Sequence, residues 1–173
     1  MRVLITTSSV LLIMLTGMLT VSLLIEDEYQ YQDEIFVNVP EAIVINTLTD
    51  LAAYQQWCDA VVQSELISER ERKIIYQSGG HRLLFREKIE VFPVQRMVYI
   101  AQPKNTGTNS IAQNLSHKIQ INALADGSLR VLWQINYEVK PLLARFINRF
   151  FLSEHIQILV NNILRDLKTE LEQ

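Results

Sequence analysis

The chain has a single cysteine, Cys58, so it contains no internal disulfide bond. Its three histidines, His81, His117 and His155, are scattered along the sequence without the spacing that metal ligands require. It also lacks the glycine-rich loops that bind nucleotides, the HExxH motif of zinc proteases and the GxSxG motif of serine hydrolases. These absences argue against nucleotide-dependent enzymes, zinc proteases and serine hydrolases. The sequence predicts neither a metal nor a cofactor.

An excess of positive charge is missing as well. The net charge is −3 and the isoelectric point is near 5.6, which argues against a surface that binds nucleic acid. Apolar residues make up 49% of the chain and charged residues 20%, a composition typical of a folded domain.

A long uncharged segment opens the sequence. Val3 to Ile25 contains no charged residue and would span about 34 Å as a helix, enough for a bilayer core of about 30 Å. Two interpretations stay open, a retained membrane anchor and a cleaved signal peptide; the absence of an A-x-A-like cleavage site favours the anchor. We therefore expect an anchor at residues 1–25 and a domain at residues 26–173. Because Arg2 precedes the segment, a single-pass topology with the domain on the periplasmic or extracellular side is predicted.

The rest of the sequence alternates between strand and helix periods. Ile35, Val37 and Val39 alternate as in a strand, and Pro40-Glu41 begins a helix that runs to about Thr49. A short second helix is predicted at residues 52–57. Strands are then predicted at residues 62–70, 73–78, 82–92, 96–102, 111–123 and 129–140. From Leu142 onward the period is helical, with an apolar stripe at Leu152, Ile156, Leu159, Ile163 and Leu167.

The last hairpin allows a register prediction. Its two strands carry their apolar residues at odd positions, so opposing residues must have an even sum for the apolar faces to match. A two-residue turn at Asp126-Gly127 breaks that match. A three-residue loop with Gly127 in the left-handed conformation restores it, and is predicted here.

Four stretches of the sequence carry a likeness to a known superfamily. They are "VNVPEAIVINTLTDLAAYQQW", "EKIEVFPVQRMVYIAQP", "INALADGSLRVLWQINYEV" and "ILRDLKTELE". In this order they resemble the opening strand and helices, the central hairpin, the last hairpin and the closing helix of the START-like superfamily, also called SRPBCC or polyketide cyclase/dehydratase-like. The resemblance covers residues 29–172. It departs from the superfamily at Cys58-Asp59, where members often have asparagine or proline.

The resemblance implies an α+β helix-grip fold. In that fold a curved antiparallel sheet of about seven strands wraps around a long C-terminal helix, and two short helices follow the first strand. The cavity between sheet and helix commonly holds lipids, isoprenoids, sterols or polyketides. Some members are cyclases or hydrolases and others only carry ligands, so the fold does not choose between these activities.

Three polar residues interrupt the apolar faces of predicted strands, namely Glu87, Gln113 and His117. They would fix the polar end of a ligand, or lie hydrogen-bonded or solvated at strand ends. As an enzyme, the chain would use Glu87 and His117 as an acid/base pair. The apolar residues predicted to line the cavity with them are Phe85, Met97, Tyr99, Trp133 and Tyr137. In a third interpretation, a protein-interaction module, four of these side chains (Phe85, Met97, Tyr99 and Trp133) fill the cavity instead.

The stretch "PLLARFINRFFL" is amphipathic. Leu142, Phe146 and Phe150 form one helical row, and Arg145 and Arg149 form the next. They would form a lip that contacts the bilayer, with the arginines at the level of the lipid head groups. Alternatively, the segment is the first part of the closing helix, packed on the sheet.

Cys58 has no partner arrangement for catalysis, and its neighbour Asp59 disfavours a thiolate. We expect a packed or idle thiol, with Tyr54 and Trp57 as apolar anchors of a short helix. The sequence thus predicts binding of a hydrophobic small molecule at a membrane, without a catalytic residue; no protein partner is predicted.

Overall fold

The predicted order of strands and helices is confirmed. A computed structural model describes residues 2–78, 81–102, 113–140, 142–149 and 153–173. Its elements are α1 (Arg2–Leu24), β1 (Glu28–Val37), α2 (Glu41–Thr49), α3 (Tyr54–Trp57), β2 (Val61–Ser68), β3 (Glu71–Ser78), β4 (His81–Phe92), a short 3-10 helix (Pro93–Gln95), β5 (Met97–Ala101), β6 (Gln113–Ala123), β7 (Leu129–Glu138), α4 (Leu142–Ile147) and α5 (Ser153–Leu171). The predicted turns at Gly79-Gly80 and at residues 103–107 lie outside the described residues, as do Leu152 and Phe150.

The strands described form one antiparallel sheet in the order β1-β7-β6-β5-β4-β3-β2. The register of the β6–β7 hairpin is as predicted, because Ile119 lies opposite Trp133 and the apolar faces match. The Leu124 N–H donates to the Ser128 carbonyl at 2.9 Å, which closes a three-residue loop. Gly127 in this loop has a φ of +88°, the left-handed conformation that glycine adopts without strain.

The prediction of which β5 residues face the interior is wrong. Met97 and Tyr99 were expected in the cavity, but the buried residues of this strand are Val98 and Ile100. Ile100 pairs with His117, so the even positions of β5 share the inner face with the odd positions of β6. Met97 and Tyr99 therefore point to the outer face, where both are half-buried. They neither line nor fill the interior.

The two short helices pack on the sheet and on α5: α2 contacts β5 and α5, and α3 contacts β2 and α5. In α2, Val44 and Leu48 are buried and Glu41 occupies the first turn. In α3, the rings of Tyr54 and Trp57 are buried with their centroids 4.3 Å apart, as anticipated for apolar anchors. Cys58 follows them and is only 1% exposed. Burial raises the pKa of its thiol to about 12, which keeps it protonated.

The long helix α5 grips the sheet. Its residues Ile156, Leu159, Ile163 and Leu167 are buried, which confirms the described part of the predicted stripe. Each such side chain contributes about 1.5–3 kcal/mol when fully buried. The helix packs mainly against β1 and β3. These strands would be about 24 Å apart in a flat sheet, five spacings of about 4.8 Å, so a sheet that curves around the helix brings both within reach.

The closing helix does not continue unchanged from Leu142. The helix α4 ends at Ile147, residues 148–149 have the wider π-helical geometry, and α5 begins at Ser153. Such π-helical turns occur often near functional sites. Asn148 lies in this turn with its side chain fully buried.

The N-terminal segment is helical in its backbone from Arg2 to Leu24. The side chains of residues 2–9 and of Leu11 lie outside the described part. Over the residues whose side chains the structure describes, no helix is both long and apolar enough to cross a membrane. The anchor and the domain boundary after residue 25 thus remain predictions.

Arg145 joins the residues that follow α1 to the end of β7. This residue was expected to face lipid head groups, but its guanidinium donates to the carbonyls of Val139 and Ile25 and to the Asp27 carboxylate. Its side chain is only 19% exposed. The guanidinium is therefore engaged at this junction, and contact of the segment with a lipid surface stays a prediction. The other arginine of the predicted lip, Arg149, is exposed.

Candidate functional site

A buried ion pair lies on the inner face of the sheet. Arg72 on β3 stands directly opposite Glu87 on β4. The Arg72 Nε and Nη2 atoms donate to Glu87 Oε2 at 2.9 and 2.8 Å, and the Tyr76 hydroxyl donates to Glu87 Oε1 at 3.1 Å. Both charged residues are essentially inaccessible to solvent, at 0% and 1% exposed. Glu87 is therefore a buried carboxylate that accepts three hydrogen bonds.

Arg72 was not predicted as a site residue, because the predicted strand began at Lys73, whereas β3 begins at Glu71. Arg72, Ile74 and Tyr76 alternate along β3, and all three are buried. The two-residue period was thus enough to place Arg72 on the inner face.

The ion pair is electrically neutral as a unit. Burial by itself lowers the pKa of Arg72, but the Glu87 carboxylate raises that pKa above its usual value. The guanidinium carbon lies 3.8 Å from the centroid of the Tyr54 ring, a cation–π contact. Burial also raises the pKa values of Tyr54 and Tyr76, so both phenols are neutral. The cluster therefore holds one positive and one negative charge that compensate each other.

His117 on β6 has a fixed hydrogen-bond partner. The Trp133 indole Nε1 donates to His117 Nδ1 at 3.0 Å, and the two rings meet edge to face. Burial lowers the pKa of His117; Glu87 raises this pKa and Arg72 lowers it by smaller amounts, and the ring is therefore neutral. Since an indole N–H can only donate, Nδ1 must accept, and the ring proton lies on Nε2. Nε2 is a buried donor without a partner among the described residues.

Other buried N–H groups also lack a hydrogen-bond partner. Arg72 Nη1, Gln102 Nε2 and Trp57 Nε1 have no hydrogen-bond partner within the described residues. Such orphaned donors are rare in protein interiors, because each costs free energy when it is removed from water. The hydroxyls of Tyr29, Tyr54 and Ser64 also lack a partner among the described residues, and these groups can accept as well as donate.

A second cluster of buried polar side chains lies next to the end of α4. The Tyr137 hydroxyl donates to Asn148 Oδ1 at 3.1 Å, and the Tyr137 ring stacks on Tyr29 at a centroid distance of 5.2 Å. Asn148 Nδ2 and the Tyr29 hydroxyl have no partner in the described part of the chain. Burial raises the pKa of Tyr137 to about 12, so this phenol is neutral too.

The structure brings together only some of the predicted site residues. Glu87 and His117 lie on one inner surface with Trp133, and Phe85 packs against Tyr76 in the same core. Gln113 does not join them. It is half-buried at the first position of β6, opposite Glu138, and a bulge with Asn114 at a φ of 52° separates it from the regular strand.

An open groove of about 620 Å³ lies apart from Arg72, Glu87 and His117. It is formed mostly by outer-face residues where β1, β6 and β7 meet, and its lining comprises Glu26, Glu28, Tyr29, Gln30, Asn114, Ser116, Asn136, Tyr137 and Glu138. This polar and acidic surface differs from the apolar cavity that the sequence predicted.

The fold is similar to that of several solved structures. No protein-family model matches the chain, and no curated protein matches it by sequence. Solved structures do match. An aromatase/cyclase from a Streptomyces species has a TM-score of 0.70 at 14% identity, over 84% of this chain and 94% of the other.

Two further solved structures extend the comparison. A major latex-like protein from Panax ginseng has a TM-score of 0.65 at 10% identity, over 83% of this chain and 97% of the other. A START superfamily protein from Mycobacterium smegmatis has a TM-score of 0.55 at 13% identity, over 80% and 98%. At these identities the likeness shows the fold alone: the chain has the helix-grip fold of START-like, SRPBCC proteins.

Proposed function

We propose that this chain binds an apolar small molecule between the inner face of the sheet and α5. The observation that carries the proposal is the set of buried, unpaired N–H groups, above all His117 Nε2 and Arg72 Nη1. Ligand sites are mostly apolar and contain a few convergent polar groups that set orientation. The inner face has this character, because Ile100, Ile119 and Ile135 surround His117.

Likeness of fold supports the same proposal. The structural neighbours include an aromatase/cyclase and a START superfamily protein. A lipid, an isoprenoid or a similar hydrophobic molecule is the ligand class we propose for this chain.

A cyclase or hydrolase that uses Glu87 and His117 is less well supported. A general base needs a free lone pair within reach of the substrate. Glu87 already accepts from Arg72 and Tyr76, and the neutral His117 ring has its one lone pair engaged by Trp133. The arrangement favours binding over proton abstraction. The interaction module is less supported as well, because Met97 and Tyr99 do not fill the interior.

We also propose that α1 anchors the domain in a membrane as a single pass, with the domain outside the cytoplasm. The support is the uncharged segment Val3–Ile25 with Arg2 before it, and the helical backbone that follows from Arg2 to Leu24. Because α1 packs against α4, and Arg145 of α4 bonds Ile25 and Asp27 just after α1, α4 would lie near the bilayer surface. The interior would then take up its ligand from the membrane.

The binding proposal is tested by mass spectrometry of organic extracts from the full chain purified in detergent. We expect a hydrophobic compound that remains with the protein through purification, at a reduced amount in a folded His117→Leu variant. An extract with no compound above the level of a mock purification would refute the proposal.

A further inference from the structure

The described part of α1 exposes apolar side chains on most of its surface. The large apolar residues exposed there are Val10, Leu12, Ile13, Met14, Leu15, Leu19, Val21, Leu23 and Leu24. The hydroxyls of this part are satisfied within the helix, because Thr16, Thr20 and Ser22 each donate to the carbonyl four residues earlier. A surface of this kind is typical of a helix in lipid, where polar hydrogens need partners within the chain.

One row of α1 is covered by protein instead. Met18 and Ile25 are half-buried and Ser22 is fully buried. Their spacing of four and three residues places them on one face of the helix. Among the described elements, α4 is the one that α1 contacts most, so α4 lies along this row.

The position of the row determines the depth of α4. From Met18 to Ile25 the chain rises by about 10 Å as a helix. In the proposed anchor, the segment Val3–Ile25 crosses an apolar core of about 30 Å, so each leaflet contributes about 15 Å. Since α4 lies beside the last part of this segment, it lies within the apolar layer of one leaflet rather than on the head groups.

The charge of Arg145 is compatible with this depth. Arg145 is the only charged residue of α4, and its guanidinium donates to the carbonyls of Ile25 and Val139 and to the Asp27 carboxylate. Ile25 and Asp27 lie where the uncharged segment ends, at the level of the membrane interface. Arginine side chains in membranes extend to the interface in this way, and their charges need such partners.

We propose that α4 is embedded in the apolar layer of the leaflet nearest the domain, with the exposed side chain of Ile147 against the acyl chains. The partner of this surface is the lipid leaflet itself. The inference rests on the proposed anchor and adds that α4 is immersed beside it. Asn148, directly after α4, accepts a hydrogen bond from Tyr137 on the inner face of β7, so the immersed helix is continuous with the interior. A ligand dissolved in that leaflet reaches the interior beside α4.

Three positions of nearly equal exposure provide the test. Leu15 in α1, Ile147 in α4 and Phe36 in β1 are 45%, 44% and 47% exposed. Each is replaced by cysteine in the full chain carrying Cys58→Ala, labelled with a nitroxide and reconstituted in vesicles of phosphatidylcholine and phosphatidylglycerol. Electron paramagnetic resonance then compares collisions of the label with oxygen, which concentrates in the bilayer core, and with a nickel chelate, which stays in water.

The labels at Leu15 and Ile147 should collide more with oxygen than with the chelate. The Ile147 label should be the shallower of the two, within about 10 Å of the interface. The Phe36 label should collide more with the chelate, because Phe36 lies about 26 Å along β1 from Glu28, where the strand begins beside the anchor.

The outcomes separate this inference from the anchor on which it rests. An Ile147 label in water together with a Leu15 label in lipid would overturn the immersion of α4 and leave the anchor intact. A Leu15 label in water would overturn both. A Phe36 label in lipid would also overturn the inference, since lipid contact would then not be specific to α4.

A measurement on the unmodified chain covers the case in which a labelled variant does not fold. The protein is reconstituted with a phosphatidylcholine that carries a diazirine on its acyl chain, and crosslinked peptides are identified by mass spectrometry after irradiation. Crosslinks should occur in α1 and in residues 142–147. Crosslinks in α1 without any in residues 142–147 would contradict the immersion of α4.

Discussion

The Trp133 indole Nε1 donates to His117 Nδ1 at 3.0 Å, and this bond determines which imidazole nitrogen carries the proton. Both residues are buried and lie on neighbouring strands, on the face that α5 covers. A tryptophan in this position turns a histidine from a potential base into a fixed donor. The expected behaviour of the site follows from this pair and from the Arg72–Glu87 pair beside it.

The tautomer of His117 is the first prediction. Long-range proton–nitrogen NMR correlations should show a proton on Nε2 and an unprotonated Nδ1 at neutral pH. In Trp133→Phe the Nδ1 partner is lost, and a mixture of the two tautomers should appear. The matched control is Trp57→Phe, which alters the other tryptophan. If Nδ1 were protonated in the parent protein, the assignment of the donor would be wrong.

Removing one charge of the Arg72–Glu87 pair should lower the free energy of unfolding more than removing both charges. Glu87→Gln leaves the Arg72 charge buried without a counter-charge, so we expect the free energy of unfolding to fall by about 3–5 kcal/mol. The double variant Arg72→Met/Glu87→Leu removes both charges, and it should recover most of that loss. Urea unfolding of the three proteins measures the difference. A double variant no more stable than Glu87→Gln would contradict a penalty that arises from the unpaired charge.

His117 should make stability depend on pH. The folded-state pKa of His117 lies below its ordinary value of 6.5, so below that pH the unfolded chain binds more protons than the folded one. Stability should therefore fall as pH drops below about 6.5, by up to about 1.4 kcal/mol per pH unit from this residue. Unfolding free energies of the parent protein and of His117→Asn between about pH 7 and pH 5 check this. Equal slopes for the two proteins would show that His117 does not contribute.

Arg145 should hold the junction between α1 and the sheet. The Val139 N–H donates to the Asp27 carbonyl at 2.7 Å, and the Arg145 guanidinium bonds both segments. Arg145→Ala should speed hydrogen exchange at the Val139 amide about tenfold, since a lost hydrogen bond weakens the junction by about 1 kcal/mol or more. Arg149→Ala serves as the control, because Arg149 is exposed. Similar exchange in both variants would argue against the junction role.

Cys58 should not react in the folded protein. Its thiol is buried and its pKa is raised to about 12, so a membrane-impermeant maleimide should label it only after denaturation. Val94 is 99% exposed, and Val94→Cys in a Cys58→Ala background should be labelled readily. The same variant tests the proposed location of the domain outside the cytoplasm. In intact cells or spheroplasts, the membrane-impermeant maleimide should label Val94→Cys without lysis. Labelling only after lysis would overturn that location.

Much of the fold was predictable because it depends on local patterns. The odd positions of β7 read as one apolar face, and Leu129, Val131 and Trp133 are indeed buried. Matching that face with β6 was enough to predict the loop with Gly127. Strand alternation and helix periodicity are properties of consecutive residues, so the sequence shows them directly.

The inner face of β5 was not predictable in this way. Met97 and Tyr99 on one side and Val98 and Ile100 on the other are all apolar or aromatic, so alternation does not choose between the faces. The choice depends on how β5 pairs with its neighbours after the 3-10 turn, where Arg96 has a left-handed φ of 48°. The prediction placed Met97 and Tyr99 in the interior, and the register places them outside.

By itself, the sequence determined the alternation of the strands, the positive φ at Gly127, the buried stripe of α5 and the position of Glu87 and His117 on the apolar faces of their strands. Only the tertiary structure decided what those two polar residues meet. Arg72 reaches Glu87 through the β3–β4 register, and Trp133 reaches His117 through the β6–β7 register. Hydrogen bonds across a sheet depend on pairings between segments far apart in sequence, and no local pattern encodes which donor will face which acceptor.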